Sequence, residues 1–396
     1  MVAVRTLDRK LFRDLGRLWP QALAIALVVG SGVATLILGM GSYQSLYETR
    51  RAYYERNAFA DVFASLERAP QALGRTIAEI SGVMAVDLRI MRQVLMDIDG
   101  VPEPASGTVL SLPDHRPPNL NALYMRQGRI PDAGKADEVV IDEGFAGANH
   151  LGIGATFRAN LNGRQRVLRV VGIALSPEFI YSLGPGELVP DDRRYGTLWM
   201  SEKTLAGLFD LDGAFNSVAI KLVPGTRQED VIETLDTLLT PYGGVGAFGR
   251  DLQRSHAFLD SELSQLKAMS SVVPPIFLVV SAFLMNMTML RLVALEREQI
   301  GLLKALGYGR AGIAWHYLKF ALLIALGGIA IGIVAGTWLG RGMTRLYGEF
   351  FHFPFLVFIR DPNVYMLAIG VTLGAAMAGA LRAVVAVFNL PAAVAM

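Results

Sequence analysis

The sequence has 396 residues, 52% hydrophobic and only 18% charged, against about 25% charged in ordinary soluble proteins; its mean hydropathy is +0.39. That balance argues against a freely soluble enzyme. The absence of cysteine excludes a disulfide scaffold, a thiolate zinc site, an iron–sulfur cluster and a cysteine nucleophile. The net charge of +2 divides unevenly, because residues 48–267 carry 23 Lys/Arg and 29 Asp/Glu while the flanks carry 14 and 6. An acidic block between basic, apolar flanks is the pattern of a domain looped out of a membrane rather than of a nucleic-acid binder.

Residues 1–18 form a basic arm in which Leu7, Leu11, Leu15 and Leu18 share one helical face, with Asp8, Arg9, Lys10 and Arg13 elsewhere. This spacing predicts an interfacial helix that anchors to anionic headgroups or serves in coupling. Residues 19–41 are uncharged, about 35 Å as a helix and enough for a hydrocarbon layer of roughly 30 Å. The run is longer than the h-region of a signal peptide, about 7–15 residues, so it reads as a retained first span. Residues 42–267 follow as one large loop. The second span is 268–290, with Pro274 and Pro275 placed to start or kink it. After a short loop, 291–312, the third span is 313–340, uncharged from 320 onward; a loop at 341–361 leads to the fourth at 362–382 and a tail at 383–396. The arm and the 291–312 loop hold most of the short-loop Lys and Arg, which predicts cytoplasmic termini and an extracytoplasmic 42–267 domain.

Within that domain, residues 61–66, 83–98, 138–142, 167–174, 196–200 and 217–223 read as strands, and 70–81 and 226–239 as helices. The pattern is mixed α and β, with a mostly β insert at about 120–205, hence two subdomains. Both junctions with the membrane read as helical. Residues 43–57 contain no breaker, and Leu252, Leu259 and Leu266 recur at heptad spacing, which suits stalk helices or a helix lying on its own domain.

Catalytic signatures are missing: the sequence has no Walker loop, H-E-x-x-H, G-x-S-x-G or EF-hand loop. Five scattered histidines have no metal-ligand spacing and read as surface or interfacial. Gly307, Gly309 and Gly312 match G-x-G-x-x-G without a βαβ unit around them, so they read as a helix stop before the third span. No ionisable group lies deep in a span; Asn286 is the one strongly polar side chain there and predicts an interhelical hydrogen bond, while His316, Lys319 and Arg382 sit at span ends where they can snorkel. Gly328, Gly332, Gly336 and Gly340 repeat every four residues, as do Gly370, Gly374 and Ala378, and Ala22, Ala26, Gly30 and Ala34. These stripes predict close helix packing.

The loop Leu295-Glu-Arg-Glu-Gln-Ile-Gly-Leu-Leu-Lys-Ala-Leu-Gly307 closely resembles the cytoplasmic signature of the FtsX-like, MacB-type permeases of ABC transporters. Ala136-Asp-Glu-Val-Val-Ile-Asp142, Leu151-Gly-Ile-Gly154, Asn162-Gly-Arg164 and Arg169-Val-Val-Gly-Ile173 look like that family's β-rich insert, and Leu390-Pro-Ala-Ala-Val-Ala-Met396 like its tail. The resemblance covers essentially the whole chain. It implies an integral membrane α-helical fold of four transmembrane helices, with a large mixed α+β extracytoplasmic domain between helices 1 and 2. It also implies a separate ATP-binding subunit docked on Glu296, Arg297, Glu298, Ile300, Leu303 and Lys304, with ATP and Mg bound by that partner and no cofactor or catalysis on this chain.

The expected activity is mechanotransmission: partner closure moves the spans and reshapes the outer domain, for export or extraction of lipids, lipoproteins or amphiphilic compounds at a bacterial inner membrane. The resemblance further implies a homodimer or pairing with a second permease half, since some members carry two such units in one polypeptide, and it admits a membrane-fusion protein as a partner. The family-level alternative is regulation of a cell-wall hydrolase or response to a peptide antibiotic. A membrane-anchored sensor without an ATPase is the reading from another class, against which stands the lack of a large segment between the inner spans.

Overall fold

The computed structural model describes residues 6–187 and 189–389; residues 390–396 and 1–5 and the side chains of Leu7 and Asp8 lie outside what is described. The chain divides into two compact units, one of 1–46, 263–346 and 357–396, the other of 47–262 and 347–356.

The first unit is helical. Among the described residues, four helices are long and apolar enough to cross a membrane: α2 (Trp19–Arg56), α7 (Arg254–Leu295), α9 (Arg310–Phe350) and α10 (Pro362–Asn389). The arm is α1 (Thr6–Arg17), and α8 (Arg297–Ala305) lies between α7 and α9. The helices α2, α7 and α9 have 38, 42 and 41 residues, lengths of about 57–63 Å that exceed a hydrocarbon layer roughly twofold. α7 does not begin at the proline pair; it starts about five and a half turns earlier.

The small-residue stripes of α2 and α9 meet. A β-carbon on Gly332 would lie 2.7 Å from the Gly30 carbonyl oxygen, and one on Gly336 2.9 Å from Ala34 Cα, so only glycine lets these backbones touch. Gly340 instead receives the ring of Phe358, which also abuts Gly41. On α10, among the described residues, nothing lies within 4 Å of a β-carbon on Gly370 or Gly374, and the glycine in close contact is Gly379, against the Ala282 carbonyl of α7. Gly370 and Gly374 share the spacing but are turned away from every described neighbour. Asn286 likewise departs from expectation, since its Oδ1 is buried without a hydrogen-bond partner among the described residues. His316 is buried rather than snorkelling.

The second unit is the mixed α/β head, with two sheets. The first is antiparallel, in the order β11-β1-β10-β2, from β1 (Val62–Pro70), β2 (Val83–Arg89), β10 (Ala214–Leu222) and β11 (Ala247–Gly249). Two helices, α3 (Leu73–Ala78) and α6 (Gln228–Leu239), accompany it. Val231, Leu235 and Leu239 bury the apolar face read from the sequence of α6, and α3 is shorter than the 70–81 expected.

The second sheet contains β3 (Met91–Asp97), β4 (Ala105–Leu112), β5 (Tyr124–Gly128), β6 (Glu138–Asp142), β7 (Thr156–Leu161), β8 (Arg164–Leu175) and β9 (Tyr195–Ser201), in the order β5-β8-β6-β9-β4-β3-β7. β7 also pairs with β8, which closes six of the strands into a barrel with Met96, Val109, Ile141, Phe157, Leu168 and Leu198 in its core. The β insert thus begins near residue 91, earlier than the 120 expected. Asp142 caps α4 (Glu143–Ala148) through Phe145 N–H, and Ser201 caps α5 (Glu202–Leu208). At the crossover between sheets, Asn216 both accepts from and donates to the Met91 backbone, each at 2.8 Å.

The head also takes in residues 347–356, the end of α9 and the loop after it. The His352 amide donates to the Ile180 carbonyl at 2.8 Å, and its Nε2 lies 3.1 Å from Asp192 Oδ2. Phe351 packs against Tyr181, Phe353 sits edge-on to Tyr53, and Arg126 donates to the Pro354 carbonyl. Burial, the largest influence, lowers the His352 pKa, but the hydrogen bond to Asp192 and the fields of Asp192, Asp142 and Glu143 outweigh it and raise it overall.

Candidate functional site

The loop that carries the permease-like signature folds as one short helix, α8, held at both ends. At its start Glu296 is buried. Its Oε2 accepts from Lys10 Nζ of α1 at 2.6 Å and from the Tyr317 hydroxyl of α9 at 2.6 Å. Lys10 also bridges to Asp14 at 2.6 Å, an i, i+4 pair within the arm. Side-chain exposures of 11–13% for these three charges place them largely out of water, where an acid–base cluster persists only if it is paired and hydrogen-bonded.

Ile300 is fully buried in the apolar cluster of this unit with Leu292, Ile313 and Phe320, while Leu303 packs at its margin. At the far end, Lys304 Nζ donates to the Val387 carbonyl of α10 at 2.7 Å, and burial followed by the nearby Arg310 lowers its pKa. The helix stops at Gly307, whose φ of +89° suits glycine, with Tyr308 N–H closing on the Leu303 carbonyl. The Gly307-Gly309-Gly312 motif is therefore a helix stop, with α9 beginning at Arg310.

The six signature residues thus divide by role. Glu296 and Ile300 do not reach the surface, because one is fixed by Lys10 and Tyr317 and the other fills the core. Leu303 and Lys304 are half-buried. Arg297 and Glu298 face outward, and Gln299, Leu302 and Leu306 join them; Leu302 and Leu306 are 57% and 68% exposed. Sequence reasoning missed Lys10, Asp14 and Tyr317. The Lys10/Asp14 spacing was a visible signal, whereas nothing local marks Tyr317. The arm is corrected accordingly: Leu11 is buried in the protein core and Leu15 packs against it, so this face lies on protein rather than on headgroups.

Among the described residues no group of three or more His, Asp or Glu could hold a metal ion. Sequence comparison matches residues 22–238 to the MacB-like periplasmic core domain and residues 271–392 to the FtsX-like permease C-terminal family. No curated protein matches.

Among the solved structures that are similar are three periplasmic, extracellular or permease domains. The periplasmic region of MacB from Actinobacillus actinomycetemcomitans is 12% identical, covering 53% of this chain and 95% of that one with a TM-score of 0.33. The extracellular domain of the ABC-type transporter YknZ from Gram-positive bacteria is 11% identical, covering 48% and 98% with a TM-score of 0.30. A domain of a permease protein from Porphyromonas gingivalis is 13% identical, covering 46% and 83% with a TM-score of 0.28. With one family model spanning more than half of the sequence and a second covering the last three spans, the chain belongs to the FtsX-like permeases of ABC transporters that carry a MacB-like periplasmic core domain.

Proposed function

We propose that this chain converts closure of a separate ATP-binding subunit into movement of its head domain, for export or extraction of lipids, lipoproteins or amphiphilic compounds. The observation that carries the reading is the clamped geometry of α8. Its inward side is fixed to α1 and α9 through Glu296 and to α10 through Lys304, and its outward side offers Arg297, Glu298, Leu302 and Leu306. A push on that outward side is delivered to three other helices at once. Each of α2 and α7 is a single unbroken helix from end to end, which supports transmission along the helices rather than through a flexible loop. On this reading the termini are cytoplasmic, the head is extracytoplasmic at a bacterial inner membrane, and two such chains, or this chain and a second permease half, work together. A membrane-fusion protein is a further expected partner.

The test is co-purification of the tagged full chain with its ATP-binding subunit from native membranes. Glu298→Arg combined with Leu302→Asp should abolish the complex while leaving the isolated chain folded; an intact complex would refute the docking surface. The purified chain alone should hydrolyse no ATP, and intrinsic turnover would overturn the permease reading.

A further inference from the structure

We propose that a cavity at the foot of the first two spans binds the phosphate of an anionic phospholipid headgroup. The cavity has a volume of about 290 Å³ and lies within the helical unit, where the arm meets α2 and α7 meets α8. Arg17, Gln21, Thr288, Arg291 and Gln299 supply its donors.

Three observations point to a phosphate. Arg17 and Arg291, both exposed, line the cavity and make no hydrogen bond or ion pair among the described residues, so two guanidinium groups with five N–H donors each have no protein acceptor. The acids in its wall, Asp14 and Glu296, do not serve them, because Lys10 and Tyr317 already hold both carboxylates. Lys10, behind the wall, neutralises part of the charge of Asp14 and Glu296, so with it the cluster has three cations against two acids, and guanidinium groups match phosphate oxygens in a bidentate fork.

Position selects the source. The cavity stands where the uncharged run of α2 begins and that of α7 ends, and Trp19 and Leu295 beside it are 60% and 70% exposed. An aromatic ring and a leucine at that depth flank the headgroup layer of a bilayer. The volume suits a headgroup rather than its acyl chains. The proposal requires the helices to lie in a bilayer and is independent of the ATP-binding partner, so its failure leaves the coupling reading untouched.

The experiment is native mass spectrometry of the full chain, delipidated in uncharged detergent and titrated with dioleoyl phosphatidylglycerol or phosphatidylcholine. Phosphatidylglycerol should bind preferentially. Arg17→Ala with Arg291→Ala should weaken it about 30-fold, two factors of about five for basic groups at an anionic surface, while Arg382→Ala should have no effect. Competition by inorganic phosphate at lipid-equivalent concentration would assign the same side chains to a free phosphate ester. Equal retention of phosphatidylglycerol by the wild-type chain and the double variant overturns the site. Should the double variant fail to fold, a photoactivatable phosphatidylglycerol decides on the wild-type chain. Labelling at the α1–α2 junction and the end of α7 supports the site, and labelling elsewhere alone refutes it.

Discussion

Replacing Lys10 by Met removes the cation shared by Asp14 and Glu296, while the methionine keeps most of the aliphatic stem in place. Both bridges are 2.6 Å long and all three side chains are 11–13% exposed, so the screening that makes surface pairs nearly worthless is largely absent. Breaking a buried pair by removing one partner costs about 3–5 kcal/mol, because the orphaned charge stays desolvated. Here Tyr317 still donates to Glu296, which favours the lower figure, about 3 kcal/mol. The cost falls on the first turn of α8, so the opening equilibrium of that helix shifts by the same amount and its amides exchange about 150-fold faster. Hydrogen exchange followed by mass spectrometry reads this on peptides covering α8, with α6 in the head as an internal reference. The triple change Lys10→Met, Asp14→Asn, Glu296→Gln should recover most of the protection, since no uncompensated charge remains. Unchanged exchange in α8 after Lys10→Met, or a triple variant worse than the single one, would show that the cluster does not hold the helix.

The glycine positions separate by their neighbours. Gly332→Val forces a side chain into Val33 and the Gly30 carbonyl and should destabilise the chain by about 3 kcal/mol, whereas Gly374→Ala meets nothing and should stabilise it by up to about 1 kcal/mol; thermal unfolding in detergent distinguishes them. For His352 the folded-state pKa is raised. Its contribution to holding the 347–356 segment is therefore full below the unfolded value of about 6.5 and is lost as pH rises through the higher folded value. Hydrogen exchange in residues 347–356 should accelerate over that window, and a His352→Gln variant that keeps the same pH dependence would refute the assignment. Asp142→Ala leaves the amides of Phe145 and Thr197, which now donate to its carboxylate, without that acceptor. A loss of about 2 kcal/mol in head stability is expected, measurable by denaturant unfolding of the full chain.

The spans were legible because an uncharged run of about 20 residues has few alternatives, and the amphipathic face of α6 because 3.6-residue periodicity survives in a half-buried helix. β7 was missed although its alternating Thr156–Leu161 pattern ends at Asn162-Gly163, both at positive φ, a pairing that marks a two-residue hairpin. β4, with Ser, Gly and Thr among its residues, is a strand by virtue of its neighbours β3 and β9 and carries little signal of its own. The signature helix was visible as a motif, but which residues face outward was not. The burial of Glu296 depends on a lysine 286 positions earlier in the chain. The same limit explains Gly370 and Gly374, whose spacing equals that of Gly332 and Gly336. Periodicity defines a stripe on one helix and is silent about whether another helix lies against it.

At the contact between α2 and α9 the Ala26 and Gly30 carbonyls, together with the side chains of Val29 and Val33, lie directly against Gly328 and Gly332. The side chains in that joint are β-branched, which hold essentially one rotamer in a helix, so it has little alternative packing to adopt and little entropy to release on opening. The same holds where Gly379 of α10 meets Ala282 of α7. Between these two welded pairs, α2 meets α7 through Phe277, Leu278 and Ser270, side chains that can repack. A rearrangement that carries α2 with α9 as one plate and α7 with α10 as the other would repack those side chains and break the 2.9 Å hydrogen bond between Thr337 of α9 and Tyr365 of α10.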